Sequence, residues 1–217
     1  MAALMYTPDH FRMPDTDVWD FVDRIGAGTL ISVDESLSPQ ATFLPWVRVG
    51  ELTEAPILRT HVAKVNAPAH RPGEALIVVM GEDSYIDDQW MGPSAAPTWD
   101  YETVQLRGRL SAHTDPQWII ASWQELLRAR GADGIERYDP AWLARQAKAV
   151  VGLEFEVREV EAKSKLSQNR PAAQIRTIAA QVGATCPHLG QRIASIGSAH
   201  ADDRDERVRQ ARLTVSP

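Results

Sequence analysis

The sequence predicts an α+β fold dominated by β structure: a small Greek-key barrel with helices packed outside it and a helical C-terminal tail. Two observations carry that expectation. Short apolar and β-branched runs are bounded by turn residues, and their order is one helix, several strands of antiparallel type, two helices, one returning strand and a helical end. Each of the two inserted helices is announced by an Asp-Pro pair, a capping carboxylate followed by a proline suited to the first helical turn.

The elements follow in order. Asp15 or Thr16 caps a first helix, in which Val18, Trp19, Val22 and Ile25 recur at helical spacing until Gly26 and Gly28 stop it. GTLISV (28–33) is a short strand and DESLSP a turn. QATFLPWVRV (40–49) reads as one strand, with Pro45 marking an edge or a bulge. ILRTHVAKV (57–65) is the next, and ALIVVMG (75–81), almost wholly apolar, reads as a central strand buried on both faces. Residues 87–99 form a loop broken by Gly and Pro, and YETVQLRGRLSA (101–112) alternates as a strand. Asp115 and Pro116 open a helix with Trp118, Ile119, Ser122, Trp123, Leu126 and Leu127 on one face. Asp139 and Pro140 open another, with Trp142 and Leu143. VVGLEFEVREVEA (150–162) returns as a strand, AKSKLSQNRP is a polar, basic loop, and helix follows from Pro171, interrupted at Gly183 and CPHLG.

Composition narrows the function classes. A hydrophobic share of 44% and a charged share of 24% belong to an ordinary globular chain long enough to bury a real core. The opening MAALMYTPDHF lacks the basic and apolar regions of a signal peptide, and no run is long enough to span a membrane, so a cytoplasmic protein is expected. One cysteine, Cys186, excludes an internal disulfide framework and a thiolate metal cluster. A net charge of -6 without a long basic patch argues against a nucleic-acid partner. The charge-rich segment ADDRDERVRQAR (201–212) balances four acids against four arginines and reads as a solvated helix with ion pairs one turn apart.

Most familiar chemistries lack a motif. The histidines never form a pair at ligand spacing, and HExxH, CxxC, GxGxxG, the Walker loop and GxSxG are absent. Cys186 has only His188 beside it, which is weak grounds for a nucleophile. What remains is polar residues on or beside strands. Lys64 is one anion-binding candidate, and the run Lys165, Ser167, Gln168, Asn169 and Arg170 is another. Trp99 and Tyr85 could line a conjugated ring. His61, in THVAKVNAP, either packs in the core or holds a ligand.

Several segments together resemble the PaiB-like family of FMN-binding negative transcriptional regulators. MYTPDHF (5–11) looks like the family's opening, ATFLPW (41–46) like its ATHLPF, and THVAKVN (60–66) like GHVARAN. APTWDY (96–101) is similar to VPTWNY, VVGLEFEV (150–157) to IVGFEI, and KLSQNR (165–170) matches outright. The resemblance spans roughly residues 1–175 and implies an FMN-binding split β-barrel as the cofactor-binding domain there, and a homodimer of six-stranded barrels with cofactor pockets at the interface. It does not cover residues 176–217, which the sequence itself marks as a helical tail. It also implies that Leu44, Pro45, Trp46, His61, Lys64, Asn66 and the KLSQNR loop bind the cofactor. Departures fall in the segments expected to line the pocket: Phe43 for a His, Thr60 for a Gly, Lys64 for an Arg, Asp100 for an Asn, and YIDDQWM (85–91) for YISPSWY.

The family includes an enzymatic branch, the piperazate synthases, which bind haem through a histidine on the strand similar to THVAKVN and close an N–N bond in N5-hydroxyornithine with loss of water. His61 stands at that place, so the resemblance adds haem b iron to packing and flavin contact as its possible roles. In such an enzyme the iron acts as a Lewis acid on the hydroxylamine oxygen, Lys64 and Tyr85 are the candidate acid and base, and Asp87 and Asp88 would bind a cationic small-molecule substrate. The altered lining favours this haem-dependent enzyme. The alternative is an FMN-binding regulator or flavin redox protein.

Overall fold

Residues 40–49, expected as one strand, form two strands at opposite ends of one sheet, and this break organises the fold. The computed structural model describes residues 5–50, 55–92, 95–197 and 199. In chain order it contains α1 (Asp15–Ile25), β1 (Ala27–Val33), β2 (Pro39–Pro45), β3 (Val47–Val49), β4 (Ile57–Ala63), β5 (Gly73–Ile86) and β6 (Thr98–His113). Then come α2 (Pro116–Ala129), α3 (Pro140–Ala147), β7 (Val150–Lys165), α4 (Ala172–Gly183) and α5 (Pro187–Arg192), closed by a π-helical turn, Ile193–Gly197. Seven strands make one sheet in the order β2-β1-β5-β6-β7-β4-β3. The seventh strand, against six implied by the resemblance, arises because Trp46 alone separates β2, paired antiparallel with β1, from β3, paired antiparallel with β4. The chain forms two compact units, and β5, β6 and β7 contribute residues to both.

The larger unit comprises residues 16–79 and 104–161. Its strands alternate as half-buried sheet requires: β1 buries Gly28, Leu30 and Ser32, and β4 buries Leu58, Thr60 and Val62. The core includes Leu30, Leu58, Ile77, Leu106, Leu153 and Phe155, all almost fully enclosed. β5 does not bury both faces as expected; it alternates, with Ile77 and Val79 enclosed and Met80, in the smaller unit, exposed. Val18, Phe21 and Val22 of α1 are buried at helical spacing. Both Asp-Pro starts behave as the sequence suggests. Asp115 Oδ1 accepts from Gln117 N at 3.0 Å and Asp139 Oδ1 from Trp142 N at 2.7 Å, each cap stabilising its helix by about 1 kcal/mol.

The smaller unit comprises the described residues of 1–15, 80–103 and 162–217. Ile86, Met91 and Leu166 pack with Ile175, Ile178, Val182, Leu189 and Ile193 in one apolar cluster, which explains why helix persists after Pro171. The KLSQNR segment, expected within a polar, basic loop, is largely enclosed. β7 continues through Lys165, and Leu166, Ser167 and Gln168 are buried. The 201–212 segment, expected as an ion-paired helix, lies outside the described residues.

Candidate functional site

Period-two alternation on β4 sends Leu58, Thr60 and Val62 inward and leaves Arg59 and His61 together on the opposite face. Both reach α2. The Arg59 guanidinium donates to both Glu125 oxygens at 3.0 Å and to Glu154 Oε2 at 2.9 Å, and lies 5.0 Å over the Trp118 ring. Trp118 in turn occupies the space a side chain at Gly152 would fill: an ideal Cβ there falls 2.2 Å from the indole. Gly152 is the cross-strand partner of His61, so a bare backbone position on β7 seats α2 beside the histidine.

His61 Nδ1 accepts a hydrogen bond from Trp123 Nε1 at 3.1 Å, with the two rings edge-to-face at 5.6 Å. An indole N–H can only donate, so the nitrogen it meets carries no proton, and in the neutral ring the proton sits on Nε2. Burial lowers the His61 pKa, so the neutral form is favoured. His61 is thereby presented as an Nε2–H donor. A metal-ligating histidine has the reverse arrangement, a bare nitrogen toward the metal and an N–H donated behind it.

Beyond Ala63 the chain enters a 3-10 turn, Lys64–Ala69, whose start is tied down by Lys64 N donating to Ala149 O at 2.9 Å. The Lys64 and Asn66 side chains are exposed. The turn ends at His70, fully enclosed between two hydroxyls, Ser32 Oγ at 2.7 Å from Nδ1 and Thr42 Oγ1 at 2.9 Å from Nε2. Burial lowers the pKa of His70 as well. On β2, Leu44 is buried and Pro45 exposed, and just past it Trp46 is buried, its Nε1 donating to Gly28 O at 3.3 Å. Phe43 is 72% exposed. Thr60, where the family pattern has Gly, is buried, and its hydroxyl finds no hydrogen-bond partner among the described residues.

The remaining candidates belong to the smaller unit. Asp100, fully buried, accepts from Ser167 Oγ at 2.6 Å and pairs with Lys165 Nζ at 3.3 Å; Lys165 also donates to Thr98 Oγ1 and to the Trp99 carbonyl. Burial raises the Asp100 pKa, and Ser167 and Lys165 oppose that rise. Next along the same face of β6, Glu102 is clasped by Ser164 Oγ at 2.8 Å and by both Nε and Nη2 of Arg192. Gln168 bonds locally, accepting from Leu166 N at 2.7 Å and donating to Ser164 O at 2.6 Å. Ser167 holds a left-handed backbone, φ 60°, which its bond to Asp100 helps to fix. The Asn-to-Asp departure at position 100 is thus accounted for by internal partners. Asn169 is exposed and Arg170 half-buried. Asp87 caps a short turn by accepting from Gln89 N at 2.9 Å, and Asp88 is half-buried beside it. Tyr85 and Trp99 meet edge-to-face at 5.9 Å, and Trp99 Nε1 donates to Asp83 Oδ1 at 2.8 Å.

The expected site residues therefore fall into two groups. Leu44, Pro45, Trp46, His61, Lys64 and Asn66 lie in the larger unit, and Tyr85, Asp87, Asp88, Trp99 and residues 165–170 in the smaller. Sequence reasoning missed Trp123 as a partner of His61, His70 between its hydroxyls, and Asp83. Only Asp83 left a signal, its period-two spacing from Tyr85. Among the described residues no group of three or more His, Cys, Asp or Glu could hold a metal ion.

The donor set on β4 and the turn after it, an imidazole N–H, an ammonium and a carboxamide, has the chemistry that a flavin phosphate and ring edge call for. Lys165 and Ser167 fit that role less well, being held by Asp100.

Comparison with known proteins agrees with this reading of the fold. The family model described as "Putative FMN-binding domain" matches residues 5–159. The chain is 27% identical over 175 residues to the Bacillus subtilis (strain 168) protein named protease synthase and sporulation protein PAI 2, covering 76% of this chain and 83% of that one. Among solved structures it is similar to conserved hypothetical protein Rv2991 from Mycobacterium tuberculosis, with TM-score 0.56 and 12% identity over 77% of this chain and 94% of that one. It is also similar to the flavocytochrome Anf3 from Azotobacter vinelandii, with TM-score 0.54 and 14% identity over 70% and 68% of the two chains.

Proposed function

Because this chain belongs to the PaiB-like family of FMN-binding proteins, we propose that it is an FMN-dependent redox protein whose flavin is held by β2, β4 and the turn that follows β4. The observation that carries the reading is the Trp123–His61 bond, which leaves His61 an Nε2–H to donate to a flavin acceptor. Lys64 supplies a cation for the phosphate, Asn66 an amide donor, and Leu44 and Trp46 apolar contact. Bound FMN would supply one- and two-electron transfer. Exposed apolar side chains, Phe43 at 72% and Val65 at 86%, support a homodimer that covers them. A lone cysteine supports a cytoplasmic location, and the net charge of -6 speaks against a nucleic-acid partner.

A second reading, haem-dependent N–N bond closure of the piperazate synthase type, is favoured by the position of His61 on β4 and by the departures at Phe43 and 85–91. Similarity of fold to a flavocytochrome is compatible with it. Here Lys64, in the same unit as His61, would move protons. This reading requires Trp123 to release Nδ1, because an imidazole that ligates through Nε2 must carry its proton on Nδ1. An absorption spectrum of the purified protein, before and after addition of FMN, decides between the two. Paired flavin bands that survive gel filtration are expected. A Soret band with no retained flavin overturns the first reading in favour of the second.

A further inference from the structure

The flavin reading makes no use of Asp83, Tyr85 and Trp99. Tyr85 and Trp99 are large aromatic side chains left 46% and 48% exposed. Their ring centroids stand 5.9 Å apart and their planes meet at 63°. Asp83 Oδ1 accepts from the Trp99 indole at 2.8 Å and so fixes the orientation of that ring. Asp83 is itself exposed, and no described lysine, arginine or histidine pairs with it. Asp83 and Tyr85 share one face of β5 by strand alternation, while Ile86 turns the other way into the apolar cluster beneath α4.

Two aromatic faces meeting at a steep angle with a carboxylate at the rim suit one class of ligand. The ring quadrupoles attract a cation within about 6 Å, the carboxylate adds Coulomb attraction, and neither needs the cation to offer a hydrogen bond. An anion would be repelled by Asp83. A flat conjugated ring would find no common plane at 63°. The same face of β6 already does this chemistry with the chain's own ammonium: Lys163 Nζ lies 5.7 Å over the Tyr101 ring, two residues from Trp99. We propose that Asp83, Tyr85 and Trp99 form a binding site for an alkylated ammonium group, separate from the residues assigned to the flavin.

The test is a titration of the full chain, labelled with ¹⁵N-tryptophan, with tetramethylammonium chloride against sodium chloride at matched ionic strength. The Trp99 indole resonance, identified by its loss in Trp99→Phe, should move saturably with a midpoint on the order of millimolar. Asp83→Asn should weaken binding about 3–10-fold. Tyr85→Phe, which keeps the ring, should retain it, and Tyr85→Gln should abolish it. All these side chains are substantially exposed, so the variants should fold; circular dichroism checks this, and Tyr85→Leu replaces any that does not. A shift that stays linear, that sodium chloride reproduces, or whose midpoint is unchanged in both Asp83→Asn and Tyr85→Gln overturns the proposal.

Discussion

The indole N–H of Trp123 meets Nδ1 of His61 at 3.1 Å, and this one bond decides which face of the histidine's chemistry the protein displays. A donor-only partner fixes the proton on Nε2, and protonating the ring would cost it that bond as well as its burial.

Long-range ¹H–¹⁵N spectra should therefore report His61 as the Nε2–H tautomer, titrating below the ordinary 6.5. Trp123→Phe should mix the tautomers and move the midpoint upward. A predominantly Nδ1–H ring in the unmodified protein would refute the assignment and revive iron ligation.

If His61 donates to bound flavin, His61→Ala should weaken FMN about 3–10-fold, the worth of one hydrogen bond, and leave the flavin bands intact. Fluorescence titration of apoprotein measures this. Complete loss of binding would mean that the histidine orders the site rather than merely touching the ligand.

Thr60→Val should raise stability by about 1 kcal/mol, because it removes a buried hydroxyl without a partner among the described residues and keeps the β-branched shape. Urea midpoints compare the two proteins. A loss of stability would mean that the hydroxyl is satisfied in solution.

His61 and His70 both have pKa values lowered by burial. The unfolded chain then binds more protons than the folded one between the folded values and 6.5, so stability contributed by these groups is full above 6.5 and declines as pH falls below it. Denaturation at pH 7.5 and pH 5.5 (about one unit either side of the unperturbed histidine value) should show the folded state weaker at the lower pH. His70→Asn should flatten part of that dependence.

Arg192→Met should cost about 3 kcal/mol, since it leaves the Glu102 carboxylate, only 3% exposed, without its cation. Hydrogen exchange should show faster opening of residues 187–197. Equal protection in both proteins would mean that the apolar cluster alone holds α5.

The helix starts were legible because capping is local: Asp115-Pro116 and Asp139-Pro140 carry their own signal. Strand ends were not. β5 runs past Gly81 through Glu82, Asp83 and Ser84, polar residues that hide an exposed strand, and the break at Trp46 joins two segments that are both extended. KLSQNR reads as a polar loop with side chains free for an anion because its partner Asp100 lies 67 positions from Ser167, beyond any local pattern. His61 was legible as a residue of interest. Its chemistry was not, since the indole that sets it comes from 62 positions away.

The register of β4 on β7 puts Arg59 against Glu154, ninety-five positions apart, whereas β1 and β2 close through a short turn. Closing the longer loop loses more chain entropy before any contact repays it. Assembly should thus begin in the β1–β2 and β3–β4 hairpins and finish with β4 against β7, and only then does α2 find its seat at Gly152. The histidine acquires its tautomer in that last step. If flavin is held as proposed, a chain caught before that step lacks one oriented donor and binds FMN more weakly by the worth of that hydrogen bond, so a late rise in affinity marks completed folding.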